Sequence, residues 1–198
     1  MNLKYSFEKY VYLSRWMDYW YQVKEILFLH PRKILEVGIG NKVVCNYLKS
    51  EGVDVITFDV DEKLKPDVNG SVKSMPFEDS SFDVVLCAEV LEHLPFDDFE
   101  KALKELKRVS GRYVVLSLPH FGPAVKISLK IPFVKEIKLA FKVYFPIVHK
   151  FNGEHYWEIG KKGYPLSKIR EILKNHFKIK KEFVPFESQY HRFYILEK

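Results

Sequence analysis

The stretch that most constrains the fold is KILEVGIGNK, residues 33–42. Apolar residues around a single carboxylate, Glu36, run straight into Gly38 and Gly40, after which Val43, Val44, Tyr47 and Leu48 recur at helical spacing until Gly52. This is a buried strand, a glycine turn and a helix in direct succession. The unit recurs along the chain. VDVITFDVD gives a second strand ending at Asp59, and SFDVVLCAEV a third at 82–88. A helix follows with Phe99, Ala102, Leu103, Leu106 and Val109 on one face, opened by a capping box of Asp97 and Glu100 and closed by Gly111. RYVVLSLP is a further strand. Near-continuous apolar strands alternating with helices imply an α/β fold, a parallel sheet covered on both faces. A helix at 165–175, carrying Leu166, Ile169, Ile172 and Leu173, and two strands, FKIKKEFV and RFYILEK, complete the chain.

At 198 residues the pattern suits one domain, 1–198, with an aromatic N-terminal helix over 1–30 and a basic insertion over about 121–160. Cys45 and Cys87, the two cysteines, lie in apolar stretches and read as core thiols of a reducing compartment. The N-terminus has no signal-peptide core, and no uncharged apolar run is long enough to span a bilayer, so a cytoplasmic protein is expected. Charge is uneven. Residues 121–198 hold 16 Lys or Arg, 7 Glu and no Asp, whereas residues 1–120 hold 16 basic and 19 acidic residues.

A strand, a glycine turn and a helix hold an adenosine-bearing ligand, because glycine lets the backbone approach and the helix start offers free N–H groups. Asp59 stands where an acid would hold ribose hydroxyls. Two details then separate the nucleotides. The dinucleotide fingerprint needs a small residue at position 43, where this chain has Val43. Glu36 would repel a pyrophosphate but can accept a hydrogen bond from an ammonium group. Both argue against NAD and for S-adenosylmethionine.

With these residues in view, LEVGIGNK, ITFDVD, GSVKSMPFEDSSFDVVLCAEVLEHL and RYVVLSLPH resemble the successive motifs of class I S-adenosylmethionine-dependent methyltransferases, in the small-molecule branch called methyltransferase type 11. The resemblance covers residues 33–120 and fits the C-terminus more loosely. It implies a Rossmann-like, mostly parallel sheet with an antiparallel last strand, and S-adenosylmethionine as cofactor. By position, Glu36, Gly38 and Gly40 form the methionine-side loop, and Asp59 takes the ribose hydroxyls. Ser71 and the Val72 backbone meet the adenine amine, Met75 packs on the adenine face, and Cys87, Ala88 and Glu89 open beside the methionine part. Lys42 departs from the family's third glycine, so its side chain must point outward or to the ligand carboxylate.

Methyl transfer mainly positions an acceptor before an activated methyl group, with a base only where the acceptor keeps its proton. Base candidates are Glu89, His93, His120 and His155, with His93 read first as fixing a helix start. No N/D-P-P-Y/F tetrapeptide follows the strand at 82–88, which argues against adenine or glutamine nitrogen as acceptor. No Cys/His metal spacing is present, so no metal is expected. In AVKISLKIPFVKEIKLAFKVYFPIV, Lys135, Lys138 and Lys142 share one helical face, while Phe133, Val134, Ile137 and Phe141 share another. That pattern predicts a helix, packed on the core or forming a lid toward a small-molecule or lipid-like acceptor or an anionic membrane surface. Arginine is scarce there, which argues against nucleic acid. The competing functional readings are a non-catalytic cofactor-binding module and an NAD-dependent oxidoreductase.

Overall fold

The computed structural model describes residues 5–151 and 153–198. Seven strands form one sheet: β1 (Lys33–Val37), β2 (Asp54–Asp59), β3 (Val68–Asn69), β4 (Phe82–Ala88), β5 (Ser110–Pro119), β8 (Lys178–Phe183) and β9 (His191–Glu197). Their order is β3-β2-β1-β4-β5-β9-β8. Pairing is parallel from β3 through β5, and β9 runs antiparallel to both β5 and β8. The expected antiparallel final strand is therefore present. The order reverses between β1 and β4, which opens a crevice at the carboxyl ends of these two strands.

Strand alternation divides the core. Ile34, Val84, Leu86 and Val115 face α2 (Leu13–Leu27) and α3 (Val43–Ser50), packing with Tyr19, Ile26, Val44 and Leu48. Leu35, Val37, Val85 and Cys87 face α4 (Phe99–Val109) and α5 (Leu166–His176), against Phe99, Leu103, Leu106, Ile169 and Leu173. Glu36 has Ile34's parity, so its carboxylate belongs to the α2/α3 side, where burial leaves it 4% exposed.

Several local expectations are corrected. The N-terminal segment is not one helix: α1 (Phe7–Tyr10) and α2 are separated by Val11 and Tyr12, both in extended conformations. Trp16 and Trp20 lie on its solvent side, 46% and 51% exposed. Residues 1–4 of that segment lie outside the described residues. Tyr47 is exposed, and the inward face of α3 is Val44, Cys45 and Leu48. No capping box opens α4; Asp98 precedes it and its carboxylate pairs with Lys73 at 2.8 Å. Gly111 lies inside β5, where the chain passes so close to the Phe82 carbonyl that a Cβ would come within 3.2 Å.

The largest correction concerns the basic segment. It is a hairpin of β6 (Ala124–Leu129) and β7 (Ile137–Lys142), paired antiparallel. Val125, Ile127 and Leu129 lie opposite Phe141, Leu139 and Ile137, so one face of the ribbon is wholly apolar and exposed. Lys126, Lys138 and Lys142 share the other face with Ser128 and Ala140. Positions 138 and 142 are four apart, which puts them on one side of a helix and of a strand alike. Alternation at 125, 127 and 129 decides for the strand.

Candidate functional site

The turn after β1 carries the strongest local constraints. Gly38 has φ +81°, and a Cβ there would lie 2.3 Å from the Val90 side chain, so no larger residue fits. Gly40 has φ +46° and lies under Tyr5 and Tyr10. Asp59, at the end of β2, accepts from the Ile39 N–H at 2.9 Å and from the Asp61 N–H at 2.8 Å. The carboxylate thus holds the glycine turn against the second strand, and its remaining lone pairs stay available.

Glu36 lines the cleft bounded by this turn. One of its oxygens, Oε2, is buried without a hydrogen-bond partner among the described residues. Burial pushes its carboxyl up to about 8, and the Asp59 charge adds to this, against smaller opposing effects of Cys45 and Lys49. An orphaned buried carboxylate beside two positive-φ glycines suits a cationic ligand group. Lys42, in left-handed backbone at φ 64°, sends its ammonium to the Lys65 carbonyl at 2.9 Å, outward from the cleft.

The cleft is narrow, about 30 Å³, because α1 and α2 cover it with Tyr10, Arg15, Tyr19 and Gln22. Its far end is formed by Ala88 and Glu89. Glu89 is held in left-handed backbone at φ 57°, a conformation costly for a non-glycine residue. Its carboxylate pairs with Arg15, and His191 Nε2 lies 3.4 Å away. His191 Nδ1 meets Asp18 at 2.8 Å, and both residues are buried. Burial disfavours the His191 imidazolium, but Glu89 and Asp18 outweigh it, so the imidazole pKa is raised. The result is a compact quartet of two acidic side chains, a guanidinium and an imidazole beside the cleft.

Of the residues singled out from sequence, Glu36, Gly38, Gly40, Ala88 and Glu89 line this cleft. Asp59 touches it through Ile39. Val72, Met75 and Cys87 do not line it: they are buried among the core residues behind the sheet. The Met75 main chain is tied to Glu105 and Arg108. Ser71 Oγ lies 3.3 Å from the Lys73 N–H, outside the cleft.

His120, at the end of β5, is not on the cleft wall. Burial lowers its pKa to about 3, helped by Arg192 and Lys142, and Arg192 Nε donates to its Nδ1 at 2.9 Å. That ring is a neutral acceptor held by Arg192. His155 also lies off the cleft wall, with Nδ1 3.1 Å from Glu158.

Sequence reasoning missed Arg15, Asp18 and His191, since α2 and β9 are brought together only by the fold. A signal was present: Asp18, Gln22 and Glu25 make a polar stripe at helical spacing, and all three are buried.

Residues 35–112 match the family described as Methyltransferase domain. Among curated proteins, the chain is 29% identical over 85 residues to the uncharacterized methyltransferase YcgJ of Bacillus subtilis (strain 168), covering 41% of this chain and 28% of that protein's length. Among solved structures, a SAM-dependent methyltransferase from Archaeoglobus fulgidus aligns with TM-score 0.66 and 15% identity over 97% of each chain. The magnesium protoporphyrin IX methyltransferase ChlM from Synechocystis PCC 6803, with bound SAH, aligns with TM-score 0.64 and 14% identity over 93% of this chain and 84% of its own. At these identities the structural likeness concerns the fold.

Proposed function

We propose that this chain, whose residues 35–112 match the methyltransferase-domain family, transfers a methyl group from S-adenosylmethionine to a small or lipid-like acceptor. The observation that carries the reading is the Glu36 oxygen left buried and unpartnered beside Gly38 and Gly40. An ammonium group supplies the missing donor and favours the ionised carboxylate, an ionisation that a phosphate would oppose, which favours S-adenosylmethionine over NAD.

In this reading Glu36 accepts from the ligand's amino group, and the turn at Gly38 and Gly40 lies against its methionine part. Asp59, already fixed by two backbone N–H groups, takes the ribose hydroxyls on its remaining lone pairs. Ser71 and the Val72 backbone serve the adenine amine, and Met75 and Cys87 shape the pocket from within the core. When bound, S-adenosylmethionine supplies a methyl group already activated on a sulfonium. The chain's own task is then to position the acceptor, an effect worth up to about 7–11 kcal/mol. Glu89 is the base we assign for an acceptor that keeps its proton, oriented by His191, which Asp18 holds.

The acceptor side continues into the β6–β7 hairpin, which begins just beyond the carboxyl end of β5. Its apolar face and its tip, Ile131 to Val134, are exposed and bracketed by Lys130 and Lys135. That arrangement supports contact with an anionic membrane surface, with lysines reaching headgroups around an apolar wedge. No helix among the described residues is long and apolar enough to cross a membrane. Cys45 and Cys87 are buried free thiols, which supports a cytoplasmic setting.

The test is calorimetric titration with S-adenosylmethionine, S-adenosylhomocysteine and NAD, followed by transfer of a labelled methyl group to hydroxylated small molecules and lipids. Micromolar S-adenosylhomocysteine binding without NAD binding is expected. NAD binding would overturn the cofactor assignment. Cofactor binding with Glu89→Gln as active as wild type would overturn the assigned base.

A further inference from the structure

Two residues on the cleft wall, one acidic and one basic, each leave a buried polar atom without a partner. Glu36 Oε2 is the acidic one. The basic one is Arg15 Nε, buried and without a hydrogen-bond partner among the described residues. Both residues line the cleft, and no ion pair joins them. The rest of the Arg15 guanidinium is engaged. One Nη pairs with Glu89 Oε2, the other donates to the Tyr12 hydroxyl at 3.3 Å, and Cζ lies 4.3 Å from the centre of the Tyr10 ring. A buried N–H of a cation and a buried carboxyl oxygen are both costly while unpaired. One occupant that offers an anion to Arg15 and a cation to Glu36 removes both costs.

An α-amino acid end is such an occupant, because its ammonium and its carboxylate sit on one carbon. S-adenosylmethionine carries that end, so the inference rests on the transferase reading. With the ammonium on Glu36, the ligand carboxylate still needs a cation. Lys42, the cation that the sequence offers for this, is turned away to the Lys65 carbonyl. Arg15 is the one cationic side chain among the described residues that line the cleft. It stands on α2, which covers the cleft, and Glu89 already holds it. A guanidinium fork can meet a carboxylate in two parallel bonds, so a ligand carboxylate is a partner able to compete with Glu89.

We infer that Arg15 exchanges partners: the carboxylate of the bound cofactor takes the guanidinium from Glu89, and Glu89 is thereby released to the methyl acceptor. The free protein keeps the assigned base masked. Glu89 Oε2 is the atom that meets both Arg15 and His191 Nε2. Loss of the guanidinium leaves it with His191, which Asp18 holds at 2.8 Å from the far side of the ring. The freed lone pairs belong to a residue that lines the cleft, where an acceptor can use them. Cofactor and acceptor are therefore taken in order, because the acceptor meets an available base only after the cofactor has bound. The coupling is reciprocal: whatever strengthens the tie between Arg15 and Glu89 weakens cofactor binding.

The test is calorimetric titration of the full chain with two probes, S-adenosylhomocysteine and its decarboxylated analogue, which keeps the amine for Glu36 and lacks only the carboxylate. Neither carries a sulfonium, so Glu89 meets no charge at the ligand's sulfur. Wild type should prefer S-adenosylhomocysteine by about tenfold to a hundredfold. Arg15→Gln should bind the two probes alike, and an affinity for the analogue within about threefold of wild type shows that it is folded. Glu89→Gln should bind S-adenosylhomocysteine about threefold to tenfold more tightly than wild type, because the guanidinium no longer leaves an anion to reach the ligand. Wild type that binds neither probe overturns the cofactor reading itself. If wild type binds S-adenosylhomocysteine and Arg15→Gln keeps the preference for the carboxylate, the exchange alone is overturned, as it is by wild type that binds the two probes alike. A Glu89→Gln variant that binds S-adenosylhomocysteine no more tightly than wild type also overturns it, since Arg15 then stays on Glu89 in the bound state.

Discussion

Lys42 occupies backbone that glycine adopts freely and lysine does not, φ 64° and ψ 14° at the start of α3. The left-handed conformation costs a non-glycine residue roughly 1–2 kcal/mol, and the exposed bond to the Lys65 carbonyl returns part of this. Lys42→Gly should therefore leave stability within about 1 kcal/mol of wild type. Because the ammonium is turned to Lys65, S-adenosylhomocysteine affinity should stay within about twofold at low and high salt. A loss of affinity that deepens at low salt would instead put Lys42 on the ligand's carboxylate.

Glu36 makes a second test, through protons. Its carboxyl is raised from 4.5 to about 8 by burial. Between those values the folded protein binds a proton that the unfolded chain has released, so this group lowers stability as pH rises through the window. The slope approaches about 1.4 kcal/mol per pH unit. Glu36→Gln removes it, and urea unfolding from pH 5 to pH 8 should show the variant gaining on wild type as pH rises, by several kcal/mol on the order of the shift. A constant difference across that range would mean that Glu36 is ionised in the free protein. Binding of an ammonium-bearing ligand near pH 7 should also release a proton, seen as a buffer-dependent calorimetric enthalpy. At this scale the sequence was readable where backbone geometry forces a residue type. Gly38 and Gly40 take the positive φ that the turn after β1 requires, and Asp59 ends β2. Arg15, Asp18 and His191 were not readable, because each acquires its role only from a partner distant in the chain.

At the scale of elements, long periodic stretches were legible and the hairpin was not. α4 and α5 bury the residues that helical spacing selects, Leu103 and Leu106, Ile169 and Leu173. In the basic segment the lysine spacing fits both periods, and the apolar residues lie on an exposed face, so no core contact selected the helix. The paired strands change which lysines are available. Lys138 is bound to Glu187 at 3.0 Å and Lys142 to the His120 carbonyl, whereas Lys130 and Lys135 bracket the tip, with the Lys130 ammonium donating to the Val134 carbonyl at 2.8 Å. If the hairpin meets an anionic bilayer, Ile127→Ser with Leu139→Ser should weaken vesicle binding at every salt concentration. Lys130→Gln with Lys135→Gln should weaken it only on anionic vesicles, by about fivefold per lysine at low salt. Cofactor affinity should be unchanged in both. If wild type ignores vesicles and sediments as a dimer that the serine variant dissociates, the apolar face covers a second copy of the chain instead.

For the whole molecule, the alternation of apolar strands and helices determined the sheet, because a parallel strand buried on both faces has few other arrangements. What it could not determine is how the N-terminal segment lies over the crevice. That cover leaves about 30 Å³ in the cleft, far less than a nucleoside ligand needs. We expect a nucleoside ligand entering this cleft to displace α1 and the start of α2, and Arg15, which links α2 to Glu89, is the tie to be broken. Two measurements follow from this one requirement. S-adenosylhomocysteine at about a hundred times its Kd should add about 2.7 kcal/mol to stability. For a domain of this size that raises Tm by roughly 5–10 °C, and NAD at the same concentration should raise it by nothing measurable. Association should also be slow, because only the open fraction of molecules accepts ligand, and Arg15→Ala should speed it by enlarging that fraction. Stopped-flow fluorescence reads this directly, since Trp16 and Trp20 sit on α2. An association rate unchanged in Arg15→Ala would mean that the segment opens without releasing Glu89, and the gate would then lie at Tyr5 and Tyr10 over Gly40.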